Sequence, residues 1–164
     1  MREISAGGVV IRKVDGAWSM AVIELPPKSK SKSAGKKRGS GAKAKPVLCL
    51  PKGLVDAGEK ALEAALREVR EETGVVTEPV AKLADIKYVY VRSWGDKERV
   101  FKIVSFYLLR YQSGTINDIS KEMRIEVALA KWIPLDDAPK LLAYSGEKQM
   151  ARQALESLKE HAEL

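Results

Sequence analysis

The stretch from Gly53 to Val75, GLVDAGEKALEAALREVREETGV, constrains this chain more than any other. From about Lys60 to Thr73 its residues are strong helix formers, and Leu62, Ala65, Leu66 and Val69 recur at i, i+3, i+4 and i+7, which makes one apolar stripe. Gly74 stands where a helix C-cap belongs. Glu68, Glu71 and Glu72 are related by i+3 and i+4, so their carboxylates leave one side of the helix, beside the stripe. Such a run is ordinarily a solvated face. Here, however, like charges one turn apart repel, and they stand at the helix end where the dipole also opposes them, so their grouping costs stability unless a cation or Arg67 compensates. A cluster of carboxylate oxygens suits a hard cation: Mg²⁺ and Mn²⁺ prefer carboxylate and water oxygens, and either could bridge these side chains to a phosphate.

The spacing carries a second message. Gly53 is followed by five free positions and Glu59, then by seven more and Arg67-Glu68, an aliphatic residue, one free position, Glu71-Glu72, one free position, Gly74 and a final aliphatic residue. This resembles the signature of the Nudix hydrolases at every fixed position, a coincidence expected on the order of 10⁻⁹ per starting position at ordinary residue frequencies. The resemblance implies a Nudix α/β fold, a mixed β-sheet sandwiched between α-helices, over essentially the whole chain. It implies metal-dependent hydrolysis of a nucleoside diphosphate linked to another group. It also implies that Glu68 and Glu72, joined by Glu71 and the Gly53 carbonyl, hold Mg²⁺ or Mn²⁺, and that Glu59 and Arg67 order the loop ahead of the helix.

The physical need for the metal is clear, since a diphosphate bridge repels an attacking hydroxide and a cation both offsets that charge and lowers the pKa of bound water. The general base is left between Glu71, inside the motif, and Glu126 in RIEVALAKWIPLDDA, which resembles the late-loop glutamate of some members. Leu50-Pro51-Lys52-Gly53 and the run Phe101 to Tyr107 resemble segments of dinucleoside polyphosphate hydrolases and of related MutT-like enzymes, which makes Lys52 and Lys102 candidate phosphate ligands, although each lysine could equally be an exposed strand-end residue. Tyr90, fifteen residues beyond the motif, lies close to but not squarely at the place of a tyrosine in those members, and Tyr88 shares its strand face, so one of the two could stack on a purine, while core packing is the commoner fate of strand tyrosines. The expected substrate is therefore a dinucleoside polyphosphate or related small nucleotide. An RNA 5′-end pyrophosphohydrolase, a diphosphoinositol polyphosphate hydrolase and a non-catalytic nucleotide-binding module of the same fold are the alternatives, the last disfavoured because no fixed position of the motif is lost.

Length and composition agree with one compact domain spanning residues 1–164: 45% of the residues are hydrophobic, enough for a substantial core. No run of eighteen apolar residues occurs and the chain enters an apparent strand at once, so neither a membrane span nor a signal peptide is expected and the protein is read as cytoplasmic. A single cysteine, Cys49 in the apolar run Val47 to Leu50, rules out an internal disulfide and reads as a buried, inert thiol. A single histidine, His161, leaves Ser/His/Asp and Cys/His chemistry without parts. The net charge of +7 has one origin, because residues 28–45 carry seven lysines and one arginine with no acid, and the remainder of the chain is at −1. With no apolar residue larger than alanine, the segment reads as a disordered loop, more simply a solvated insertion than a nucleic-acid grip because no aromatic is interleaved for stacking.

The remaining pattern predicts a hairpin of Ser5 to Arg12 and Trp18 to Leu25 around Asp15-Gly16, and a second of Val80 to Arg92 and Arg99 to Tyr111 around Ser93 to Asp96. It also predicts a short closing strand at Lys131 to Pro134. A last helix over about Glu147 to Glu160 follows, with Met150, Ala151, Ala154, Leu155 and Leu158 on its apolar face and Ser145 as N-cap.

Overall fold

The computed structural model describes residues 2–27, 46–92, 97–161 and 163–164. The basic segment 28–45 and the second hairpin's tip at 93–96 lie outside the described residues. β1 (Arg2–Val14) and β2 (Ala17–Glu24) form the first hairpin, closed by Asp15 at φ 51° and Gly16 at φ 81°. Two successive positive φ angles make a turn whose twist matches that of paired strands, which is why Asp-Gly signals it. β3 (Leu48–Cys49) and β4 (Lys52–Leu54) follow, then α1 (Ala61–Thr73), β5 (Val75–Val91), β6 (Arg99–Gly114), β7 (Leu129–Pro134), the short α2 (Ala138–Leu141) and α3 (Ser145–Glu160).

These strands make one seven-stranded sheet with the path β3-β2-β1-β6-β5, to which β4 adds on β1 and β7 on β2. β1 and β6 run parallel over ten consecutive residue pairs, from Arg2↔Phe101 to Ile11↔Arg110, and the other pairings are antiparallel. The sheet is therefore mixed. Because successive side chains of a strand point to opposite faces, β1 buries Val9 and Ile11 with Val104, Phe106 and Leu108 of β6 against Met150, Ala151 and Ala154 of α3, while Val10 and Leu109 pack with Val69 of α1. One helix layer covers each face.

Several boundaries depart from the pattern, among them β1, which runs from Arg2 to Val14, and β7, which begins at Leu129. β5 begins at Val75, directly after the left-handed Gly74 cap (φ 88°), five residues earlier than its alternation indicates, because bulges between Val76 and Thr77, Pro79 and Ala81, and Lys82 and Ala84 break the period of two. β6 continues to Gly114. α3 begins at Ser145, so Tyr144 rather than Ser145 occupies the N-cap position, with no side-chain capping bond. Its first turn is instead held by Glu147, whose carboxylate reaches across to Leu50 and Lys52.

Among the described residues no helix is long and apolar enough to cross a membrane. Cys49 is 2% exposed, and burial pushes its thiol up to about 12, in keeping with an inert side chain.

Candidate active site

α1 packs against β1 and β4, and Arg67 organises its charged residues beside β4. The guanidinium donates through Nε to Glu59 Oε2 (2.7 Å), through Nη2 to Glu59 Oε1 (2.9 Å) and the Leu54 carbonyl (3.0 Å), and through Nη1 to Glu68 Oε2 (2.9 Å) and Glu71 Oε1 (3.2 Å). Glu59 Oε1 also accepts the Asp56 N–H (2.9 Å). The loop from Leu54 to Glu59 is thus stapled to α1 at both ends, and the Arg67 hydrogen bonds, with that of Asp56, hold the Glu59 carboxyl down at about 2. Arg67 also offsets part of the charge repulsion that the helix would otherwise carry.

The three glutamates do not share one environment. Glu72 is 5% exposed and accepts the Lys52 backbone N–H at 3.1 Å; burial raises its carboxyl to about 8. Glu68 is also shifted upward, by burial first, with Arg67 opposing and the charges of Glu71 and Glu126 adding to it. Glu71 turns away: its side chain is 44% exposed and held by Arg67, in a separate hollow with Arg70, Ser120 and Met123. What converges on one cleft of about 510 Å³ is Lys52, Gly53, Glu68, Glu72, Lys102 and Glu126. Burial beside one another disfavours the ionised carboxylates, which is the electrostatic state that a bound cation reverses.

Glu126 reaches the cleft from the segment after the 3₁₀ turn Glu122–Ile125, and its charge acts on both Glu68 and Glu72. That segment is pinned by Asn117, whose Oδ1 accepts from Arg124 Nη1 (2.7 Å) and the Ala130 N–H (3.0 Å), and whose carbonyl accepts from Arg124 Nη2 (2.7 Å). Lys102, on β6, lies 3.6 Å from Glu3 of β1, and Glu3 also accepts the Tyr90 hydroxyl at 3.0 Å. Tyr90 is accordingly tied to the strand register. Tyr88, its ring centroid 6.3 Å from that of Tyr90, opens instead onto an adjoining groove that shares Lys52 and Tyr144 with the cleft.

Several residues of the cleft and of the adjoining groove, where Glu147 lies, escape a reading of the sequence. Glu147 accepts the Leu50 N–H (2.8 Å) and the Lys52 ammonium (2.9 Å) although it is only 4% exposed. Burial works to lower the pKa of Lys52, but the Glu147 charge and hydrogen bond outweigh it, and the ammonium is held above its ordinary range. Tyr144 and Ser5 also line the cleft, and the buried Ser5 hydroxyl has no hydrogen-bond partner among the described residues. For Glu147 a signal existed: it stands at i of the stripe that continues through Met150, Ala151 and Ala154, so a charge falls on an otherwise apolar face. Ser5 and Tyr144 offer none.

Whether these residues suit a divalent metal can be judged from their chemistry. Among the described residues no three His, Cys, Asp or Glu groups stand close enough to cage an ion. Glu68 and Glu72 nevertheless face one cleft, and the Gly53 backbone runs so close to Glu68 that a Cβ there would overlap its carboxylate. One or two carboxylates plus a backbone oxygen, with water and phosphate completing the shell, is the donor set that Mg²⁺ accepts. The residues fit.

Comparison with known proteins agrees with this geometry. The NUDIX domain profile matches residues 30–154, and the chain belongs to the Nudix family, whose members depend on divalent metals. It is 36% identical over 154 residues to "Putative mutator protein MutT4" of Mycobacterium tuberculosis, covering 94% of this chain and 55% of that protein, so the chain spans about half the length of this curated relative. Among solved structures it superposes on a C. elegans Ap4A hydrolase in binary complex with a TM-score of 0.65 at 22% identity, over 96% of this chain and 98% of that one. It also superposes on the NUDIX domain of Shewanella oneidensis NrtR complexed with ADP ribose, with a TM-score of 0.60 at 21% identity over 96% and 89% of the two chains. At these identities the superpositions speak for the fold.

Proposed function

We propose that this chain hydrolyses a phosphoanhydride bond in a nucleoside diphosphate linked to another group, with a dinucleoside polyphosphate as the leading substrate class. The observation that carries the reading is the convergence of the buried Glu72, the partly buried Glu68, two lysines and Glu126 on one cleft. Carboxylates there without a cation would repel a polyphosphate. Lysines alone would bind it without cleaving it.

Glu68, Glu72 and the Gly53 carbonyl would hold Mg²⁺ or Mn²⁺, and a divalent ion in that place supplies charge neutralisation of the bridge and acidification of a bound water. Lys52 and Lys102 contact the phosphates and set their position. Glu126, inside the cleft and on a segment braced by Asn117, accepts the proton of the attacking water; Glu71, outside the cleft and engaged by Arg67, does not have that access. Arg67 and Glu59 fix the loop that carries Gly53, and Tyr88 offers an exposed ring to a base in the adjoining groove, a role that Tyr90, bound to Glu3, leaves to it.

The test is a panel of diadenosine tetraphosphate, ADP-ribose, a diphosphoinositol polyphosphate, and capped or triphosphorylated RNA, each with Mg²⁺, Mn²⁺ and EDTA. Metal-dependent turnover, greatest on the dinucleoside polyphosphate, is expected. Turnover of RNA alone would transfer the assignment to RNA 5′-end processing, with the basic segment 28–45 as its grip, and no turnover on any member would favour a binding module.

A further inference from the structure

We propose that Glu147, in the first turn of α3, is a positioning residue that holds the Lys52 ammonium at the cleft wall for contact with a substrate phosphate. This rests on the reading of Lys52 as a phosphate ligand. Both carboxylate oxygens of Glu147 are engaged by the same short segment: Oε1 accepts the Leu50 N–H at 2.8 Å and Oε2 accepts Lys52 Nζ at 2.9 Å. Lys52 is in turn held at its other end, where its backbone N–H donates to Glu72 Oε1 at 3.1 Å. One residue therefore connects a carboxylate of α3 to a candidate metal ligand of α1.

The arrangement has a physical use. A lysine stem leaves its ammonium spread over many rotamers, and a charge-assisted bond to a fixed acceptor removes most of that freedom before the substrate arrives. An ammonium has three donors, so the bond to Glu147 leaves two for the cleft, and the Lys52 side chain retains 27% of its exposure. The acceptor is fixed because Glu147 belongs to the stripe that packs α3 on the sheet and is 4% exposed. A residue serving only to pack that stripe would be apolar, since an unpaired buried charge is costly. The Glu3–Lys102 pair across the cleft is looser, at 3.6 Å, and gives no comparable anchor.

A double-mutant cycle tests the proposal: Glu147→Gln, Lys52→Met and the double variant, measured for kcat, KM and Tm on whichever panel substrate is turned over best, together with NMR of the Lys52 ammonium. Glutamine keeps an acceptor for Leu50, so the variant folds. Glu147→Gln should lower kcat by about 10- to 100-fold, the scale of an ångström-level misplacement, with a smaller change in KM, and should cost less than about twofold once Lys52 is methionine. The wild-type ammonium resonance should be protected from solvent exchange and lose that protection in Glu147→Gln. Equal losses in both backgrounds, or kcat within about twofold of wild type, would overturn the proposal by showing that Glu147 acts on the fold alone or not at all. If Lys52→Met is itself silent, the phosphate role of Lys52 falls, and the proposal with it. An unprotected ammonium in the wild type refutes the positioning directly, whatever the substrate.

Discussion

Replacing Gly53 by alanine isolates the contact between the loop and α1. A methyl group at this position would overlap Cδ, Oε1 and Oε2 of Glu68, and nothing else lies nearer. Ordinary van der Waals separation can be regained only if the carboxylate withdraws by about 1 Å, and a displacement of that size at a reacting centre costs on the order of 10²-fold in rate, or about 2.7 kcal/mol in the barrier. The fold should hardly notice. The obstructed atoms are the far end of a flexible side chain, the backbone of Gly53 does not occupy the left-handed region, and alanine lowers the entropy of the unfolded chain relative to glycine. Thermal melting combined with steady-state kinetics over a Mg²⁺ titration checks both halves: kcat/KM should fall about 10²-fold and half-saturation by Mg²⁺ should shift upward, while Tm stays within a few degrees. Activity within about threefold of wild type in a folded protein would refute the reasoning, because Glu68 could then move without consequence. A collapse of Tm would refute it differently, by showing that the strain passes into the backbone.

Glu126→Gln should lower kcat by roughly 10²–10⁴-fold with metal affinity little changed, and Glu71→Gln should be the milder substitution; the reverse order in a kinetic comparison would place the base on α1. In metal-free protein the Glu72 carboxyl, raised to about 8 from 4.5 by burial, binds its proton more tightly folded than unfolded, so its contribution is complete below about 4.5 and is lost as pH rises through about 8. Urea midpoints between pH 5 and 9 should decline in the wild type and flatten in Glu72→Gln, and parallel curves would contradict the burial. Ser5→Ala removes a buried hydroxyl that has no partner among the described residues, and differential scanning calorimetry should find Tm unchanged or raised; a clear drop would mean the hydroxyl is satisfied in solution. Excising Lys28 to Lys45 for a short Gly/Ser linker should leave stability and small-nucleotide turnover nearly unchanged, because closure cost grows slowly with loop length, and RNA titrations at several salt concentrations should give equal slopes for the two proteins unless the segment grips the polymer.

The helix that bears the motif was legible because local rules act together on it: propensity, stripe and Gly74 cap all lie within fourteen residues of one another. The Asp15-Gly16 hairpin was legible for the same reason. Convergence in space was harder. Glu68 and Glu72 share a helix face with Glu71, yet Glu71, bonded to Arg67, lines a separate hollow, a divergence that spacing alone does not resolve. Glu126 enters through a turn whose course depends on Asn117 and Arg124 rather than on any periodicity. Glu147 meets Leu50 across 97 residues, and only its odd place on an apolar stripe hinted at a partner. The early start of β5 was hidden by its bulges, which shift side chains between faces and leave no alternation to read.

The parallel pairing of β1 with β6 has a temporal consequence. On a ribosome the strands Arg2–Val14 to Lys52–Leu54 and the motif helix all emerge before residue 99, so β1 waits with one edge uncovered until β6 is made. Lys102 and Glu126 arrive with or after that strand, and Glu147 later still. The nascent chain thus carries its acidic helix for some seconds, at about 5–20 residues added per second, with neither the late glutamate nor the second lysine in place. The cleft is assembled only once β6 and the residues after it have been made, and the exposed edge of β1 is the point at which a slowed ribosome leaves this fold open to mispairing.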